Sequence, residues 1–214
     1  AASRLNDLVM AKVPSILVPG VSERQVHDQI VAWFNEVSDG ISFDPIIAFG
    51  DHAADPHAES GDRILRVGDG VVVDIGCVLE GYCSDMTRTF FIGNNPLAKE
   101  YDLVLAANRN AIAHVKPGVL LSEIDEAARS VIRAGGYGEA FTHRTGHGIG
   151  SSVHEPYPVS ASSQVRCVPG MIFSIEPGIY LEGRGGIRIE DLVLVTDDGC
   201  DVLNTYPKDQ PVLK

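Results

Sequence analysis

The stretch Val71-Val72-Val73-Asp74-Ile75-Gly76-Cys77-Val78-Leu79-Glu80-Gly81-Tyr82-Cys83-Ser84-Asp85-Met86-Thr87-Arg88-Thr89-Phe90-Phe91-Ile92 reads as a β-hairpin. Two runs rich in Val, Thr, Phe and Ile flank a tight turn expected near residues 79–81. Asp74 interrupts the first run, where an unpaired carboxylate is costly. Asp85 lies on the return. If the chain turns on Leu79 and Glu80, positions 74 and 85 are directly opposed and share one face. Like charges so placed repel by about 4 kcal/mol at about 4 Å and an effective dielectric of about 20. The plainer alternative is that one of them faces solvent or pairs with Arg88.

A second pair of strands repeats the anomaly. Residues 171–176 and 186–195 flank a turn around residues 183–186. Glu176 follows Phe173-Ser174-Ile175, and Glu190 follows Ile187-Arg188-Ile189, so each carboxylate ends or interrupts an apolar run. Arg188 and Glu190 are two apart and point to the same face, which leaves an ion pair between them as the plain alternative.

Upstream of each strand pair the sequence echoes itself. Pro19-Gly20-Val21-Ser22-Glu23 opens a helical run through Val26, Ile30, Trp33 and Phe34. Pro117-Gly118-Val119, then Ser122-Glu123, opens another through Ile124, Ala127, Ala128, Val131 and Ile132. Each Ser is placed to cap its helix, with Gln25 and Asp125 at the reciprocal position. Helical stretches at 5–17 and 97–115 precede them. The pattern predicts two halves, about 1–95 and 96–214, meeting near Asn94-Asn95-Pro96. Chance is the alternative, because Pro-Gly before a capped helix is common. Helices followed by antiparallel strands, twice over, argue for an α+β fold rather than a parallel doubly wound sheet.

Composition narrows the function. The net charge of −12 would repel a phosphate backbone, so no nucleic-acid partner is expected. No apolar run is long enough to span a membrane, and the first residues lack the apolar core of a secretory signal, so a cytoplasmic protein is expected. Cys77, Cys83, Cys167 and Cys200 form no Cys-x-x-Cys pair, which argues against a zinc-finger site. Free buried thiols are expected.

The third anomaly is Thr145-Gly146-His147-Gly148-Ile149-Gly150. A His between glycines has its backbone close to something and its ring free. His143, His154 and, in Asp55-Pro56-His57, His57 complete a histidine set. Asp74, Asp85, Glu176 and Glu190 with one His have the composition to hold two divalent cations. Such an oxygen-rich set suits manganese, with cobalt or zinc as alternatives. Without cations, several close carboxylate pairs at about 4 kcal/mol each would rival the whole stability of a domain.

These blocks resemble the catalytic domain of the M24 metallopeptidases, the pita-bread family of Xaa-Pro dipeptidases (prolidases), aminopeptidase P and methionine aminopeptidase. The resemblance rests on Val73-Asp74-Ile75-Gly76, Ser84-Asp85-Met86-Thr87-Arg88-Thr89, His143-Arg144-Thr145-Gly146-His147-Gly148-Ile149-Gly150, His154-Glu155, Ile175-Glu176-Pro177-Gly178-Ile179-Tyr180 and Arg188-Ile189-Glu190-Asp191. It implies a pita-bread fold of two pseudo-symmetric halves and five ligands to two metal ions: Asp74, Asp85, His147, Glu176 and Glu190, with Asp85 and Glu190 shared. It implies Glu176 as general base and His154 as the group that steadies the tetrahedral intermediate. His57 matches the family His ahead of the first ligand strand and is taken as catalytic and substrate-contacting. His143 and Arg188 match residues that line the substrate pocket.

The short span between Glu176 and Glu190 and the Glu-Pro-Gly-Ile-Tyr block resemble the proline-specific branch. The implied substrate is a short peptide with Pro second, cut before that Pro. An Xaa-Pro dipeptidase is the first reading, aminopeptidase P on longer peptides the second, and methionine aminopeptidase ranks below both. A metal-free binding scaffold is the alternative from another class, but such relatives lose ligands that this chain keeps. Residues 1–214 are read as one catalytic domain, with the N-terminal domain usual in proline-specific members expected to be absent. A homodimer is left open.

Overall fold

The computed structural model describes residues 1–209 and 211–213. The first half opens with α1 (Ala2–Met10), a 3₁₀ turn at Val13–Ser15, and α2 (Glu23–Val37). The helical stretch expected over 5–17 ends at Met10 instead. Pro14 stands inside the 3₁₀ turn, and its missing N–H and fixed φ close off a continuous helix. Ser22 caps α2 as predicted: its Oγ accepts from Gln25 N at 3.2 Å, and Gln25 Oε1 accepts from Ser22 N at 2.9 Å. Val26, Ile30 and Phe34 form the stripe this helix buries.

Six strands follow: β1 (Gly40–Ile41), β2 (Ile46–Phe49), β3 (Gly70–Ile75), β4 (Cys77–Leu79), β5 (Tyr82–Cys83) and β6 (Met86–Ile92). β3 lies between β2 and β6, antiparallel to both. Its register pairs Asp74 with Thr87, not with Asp85. β4 and β5 extend the same register to Leu79 against Tyr82. The turn is therefore Glu80-Gly81, one residue beyond the expected position. Both residues have positive φ, +52° and +80°, the conformation that suits a two-residue hairpin. Side chains alternate every second residue, so Asp85 still shares a face with Asp74, diagonally rather than directly across.

The second half repeats the plan with α3 (Ala98–Ala113), α4 (Leu121–Ala134), β7 (Gly146–Gly148), β8 (Glu155–Val159), β9 (Ile172–Ile175), β10 (Gly178–Leu181), β11 (Gly185–Arg188), β12 (Asp191–Val195) and β13 (Cys200–Val202). α4 begins before Ser122, so Ser122 is not its cap. Glu123 takes the reciprocal role, accepting from Leu120 N at 2.8 Å. The second expected strand, 186–195, is broken into β11 and β12 at Ile189-Glu190; the first, 171–176, is β9, and beyond Glu176-Pro177 an unexpected strand, β10, continues its line. Pro177 has no N–H to give the ladder. One register nevertheless runs through both pieces, with Ile175 against Asp191 and Gly178 against Arg188.

β13-β12-β9-β7-β8 form one large sheet and β6-β3-β2, with a last strand β14 (Val212–Leu213) parallel to β6, form another, while β1-β4-β5 and β10-β11 make two smaller sheets. The duplication is visible in detail. Asn6 on α1 donates to Ile75 O at 3.0 Å, and Asn108 on α3 donates to Ile175 O at 3.0 Å. Isolated bridges join Ser22 to Ile64 and Leu120 to Arg166. Each half buries its own apolar core, one around Phe34, Val71 and Val73, the other around Ile124, Phe173 and Val193. Two buried arginines then cross between the halves. Arg88 donates to Glu190 O and to Asp191, while Arg188 donates to Asp74 and to Pro56 O.

The four cysteines are free, Cys77 and Cys167 fully buried. Among the described residues no helix is long and apolar enough to cross a membrane.

Candidate active site

The breaks in the two long hairpins put four carboxylates at one place. Asp74 is the penultimate residue of β3, Asp85 precedes β6, Glu176 follows β9 and Glu190 precedes β12. His147 joins them from the middle of β7, at an irregularity in its pairing with β8. All five line one cavity of about 530 Å³ between the halves, together with His57, His143, His154 and Arg188. The glycines beside His147 answer a close approach. A Cβ on Gly146 would stand 1.9 Å from Ser174 O, and one on Gly148 would stand 2.4 Å from the Tyr157 ring.

His147 Nε2 lies 3.4 Å from Glu176 Oε1 and 3.5 Å from Asp85 Oδ2. One ligand atom from each of Asp85, His147 and Glu190 fits within a 4.8 Å set. Asp74 Oδ1, Asp85 Oδ1 and Glu190 Oε1 are buried without a hydrogen-bond partner. Their second oxygens are engaged or close to His147: Asp74 Oδ2 accepts from Arg188 at 2.6 Å, and Glu190 Oε2 accepts from Thr87 at 2.8 Å. Burial, and then the facing carboxylates, push both Asp85 and Glu190 well above the ordinary carboxylate range. Three unpartnered buried oxygens beside one imidazole are a costly arrangement for protein alone and a fitting one for oxygen-loving divalent ions. The donor set therefore fits the expected metal.

Arg188 does not pair with Glu190. It reaches across the halves to Asp74, with Nε on Thr87 Oγ1 at 3.2 Å and Nη1 on Tyr180 Oη at 2.9 Å. Nor does Arg88 relieve the Asp74–Asp85 pair, since it is spent on Asp191 at 2.8 Å. His143 Nε2 meets Tyr180 Oη at 2.7 Å, and its Nδ1 donates to Arg144 O at 2.7 Å. Burial pushes the Tyr180 hydroxyl up to about 12. His154 is exposed, with its ring edge-on to that of His147 at 4.3 Å between centroids. Burial, helped by neighbouring positive charge, lowers both His143 and His154, which favours neutral rings. His57 is exposed at the cavity wall.

The sequence reading missed the groups that hold these residues in place. Thr87 joins Glu190 to Arg188, and its signal was its true register partner, Asp74. Ser174 Oγ donates to Glu176 Oε1 at 3.1 Å and accepts from His147 N at 2.9 Å; it stands two residues before Glu176 on the same face. Asp125 lies fully buried on the apolar stripe of α4. Its Oδ1 accepts from Thr145 Oγ1 at 2.7 Å, and its Oδ2 accepts from Arg129 Nε at 2.9 Å. Arg129 in turn donates to Phe141 O and His143 O, so one buried acid fixes the loop that carries His143 and His147. Glu23 does similar work in the first half, accepting from Phe49 N, His52 and Gly61 N around the loop that carries His57.

Fold and site together define a two-fold-repeated pita-bread chain with a carboxylate–imidazole centre between its halves. The chain belongs to metallopeptidase family M24, whose sequence model matches residues 1–197. It is 46% identical over 198 residues to an uncharacterized peptidase of Staphylococcus saprophyticus, covering 91% of this chain and 56% of that protein. It superposes on the crystal structure of dipeptidase PepE from Mycobacterium ulcerans with a TM-score of 0.96 and 47% identity, covering 99% of this chain and 58% of that one. An Xaa-Pro dipeptidase from Bacillus anthracis matches with a TM-score of 0.97 and 38% identity, over 99% and 61% of the two chains. The chain thus spans somewhat over half the length of these relatives. Divalent metal use follows from the family, and Asp85, His147 and Glu190 form a candidate site for it.

Proposed function

We propose that residues 1–214 form the catalytic unit of a metal-dependent Xaa-Pro dipeptidase, which hydrolyses the bond between an N-terminal residue and a following proline. The observation that carries this reading is the set of buried, unpartnered oxygens on Asp74, Asp85 and Glu190 around the mouth of His147. Asp74, Asp85, His147, Glu176 and Glu190 would hold two divalent ions, manganese first by the oxygen-rich donor set. When bound, such ions supply Lewis acidity that activates water and polarises a carbonyl.

The chain's own residues do the rest. Glu176, oriented by Ser174, takes the proton of the attacking water. His154, neutral and beside His147, donates to the scissile carbonyl oxygen as it gains charge. His57 and His143 contact the substrate, and Arg188 with Tyr180 fixes Asp74 and the pocket wall. Phe43, Ile46, Pro56 and Val153 line the same cavity and offer an apolar wall for the proline ring. The Bacillus neighbour, described as an Xaa-Pro dipeptidase, supports the proline specificity, and the Mycobacterium neighbour, described as a dipeptidase, supports a dipeptide substrate.

The test is hydrolysis of Ala-Pro, Ala-Pro-Ala and Met-Ala-Ser, side by side, by the purified manganese-loaded chain. Cleavage of Ala-Pro above the others is expected. Preference for the proline tripeptide would make the protein an aminopeptidase P, and cleavage of only the Met peptide would overturn the proline reading. Two bound metals without any cleavage would overturn the peptidase assignment of the isolated chain.

A further inference from the structure

Arg144 follows His143 in the histidine motif, and the chemistry above does not use its charge. Its side chain is exposed and lines the cavity, and its backbone is anchored there by the hydrogen bond from His143 to its carbonyl. Its charge is near enough to His154 to contribute to the lowering of that imidazole. Among the described residues its guanidinium has no ion-pair or hydrogen-bond partner.

The other cation at the cavity is already committed. Arg188 is buried, and its three nitrogens are bonded to Thr87, Pro56, Tyr180 and Asp74. The remaining charges on the cavity wall are negative: Asp44, Asp74, Asp85, Glu176 and Glu190. Asp44 is held from outside by His27 Nε2 at 3.0 Å.

A dipeptide brings an ammonium at one end and a carboxylate at the other. The carboxylate cluster attracts the first and repels the second. A free guanidinium is the group that resolves this conflict, because its planar fork accommodates a carboxylate by paired charge-assisted hydrogen bonds. We propose that Arg144 is the subsite for the C-terminal carboxylate of a dipeptide substrate, and so selects dipeptides over longer peptides. This rests on the Xaa-Pro peptidase reading and deepens it by naming the feature that sets substrate length. A tripeptide carries its carboxylate about 3.5 Å farther along the chain, and an amide carries no charge there at all.

The experiment compares kcat/KM for Ala-Pro, Ala-Pro amide and Ala-Pro-Ala in the manganese-loaded chain, in Arg144→Ala and in Arg144→Lys. The wild-type chain is expected to favour the acid over the amide by about tenfold or more, the size of a charge-assisted hydrogen bond. Arg144→Ala is expected to bring the acid-to-amide ratio close to one, and Arg144→Lys, which keeps the charge, to recover part of it. Equal loss on acid and amide in Arg144→Ala, with the ratio intact, would show a merely structural residue and overturn the subsite alone. So would a wild-type ratio near one. Failure of the wild-type chain, with manganese bound, to cleave any of the three would overturn the peptidase reading and the subsite with it.

Discussion

Asp85 enters the cavity with one carboxylate oxygen buried and unpartnered, whereas His154 lies exposed against the His147 ring. The two should therefore fail differently. Asp85→Asn is expected to abolish hydrolysis and weaken metal loading, because a neutral amide replaces the anion of a proposed ligand. His154→Ala is expected to lower turnover by about a hundredfold, the cost of one donor to a developing oxyanion, with metal content near normal. Metal analysis beside turnover separates them, and equal loss of both in His154→Ala would contradict its assigned role.

The same residues set a pH dependence. Asp85 and Glu190 are held above their ordinary values by burial and by facing carboxylates. The metal-free fold therefore keeps protons that the unfolded chain releases above about pH 4. Fewer protons on the unfolded state mean that stability falls as pH rises through that window. Chelator-treated protein is expected to melt lower at pH 7 than at pH 5.5, and saturating manganese to reverse that order by favouring the ionised carboxylates. Melting curves at the two pH values, with and without metal, read this directly.

At the scale of the element, α4 holds the segment that carries His143 and leads into His147, and Glu23 of α2 holds the loop that carries His57. α4 presents Leu121, Ile124, Ala128 and Ile132 to its core, with Asp125 inside the same buried face. An acid there is tolerable because Thr145 and Arg129 satisfy it. Asp125→Ala would leave the Thr145 N–H and the Arg129 cation without their partner. A loss of about 3 kcal/mol is expected, with weaker metal binding through the displaced His147. Denaturant unfolding alongside a metal titration tests this, and a stable variant with normal metal affinity would remove the clamp. The helix periodicity was legible in the sequence. The meaning of Asp125 was not, because its partners lie in a different element.

At the scale of the molecule, two apolar cores are joined by deeply buried polar links, with Phe91 of the first half packed into the second core. Arg88 is 1% exposed and ties β6 to Glu190 O, Asp191 and Tyr206 O, while Lys208 also meets Asp191. Arg188 makes the reciprocal crossing to Asp74. Arg88→Ala leaves buried Asp191 to Lys208 and strips Glu190 O and Tyr206 O of their donor, and a loss of about 3 kcal/mol is expected. The wild-type chain should unfold in one transition. The variant should show separate transitions for the two halves when tyrosine fluorescence and far-ultraviolet circular dichroism are compared, and coincident curves would mean that the halves are coupled by other contacts.

The α+β class, the duplicated plan and the nine candidate site residues could be read along the chain, because alternation and helical periodicity are local and carboxylates inside apolar runs stand out. The resemblance to the family sharpened the roles, and the matching motifs are the residues that the cavity brings together. Only the tertiary structure decided the rest. The hairpin turned one residue later than expected, since Glu80 and Gly81 adopt the positive φ that a tight turn needs. The parity of a strand survives such a shift, so the face shared by Asp74 and Asp85 survived as well. The pairing of Arg188 with Asp74, and of Arg88 with Asp191, could not be read at all. Each joins residues about a hundred positions apart, and which charge meets which is fixed by how two halves pack, not by any periodicity that one half carries.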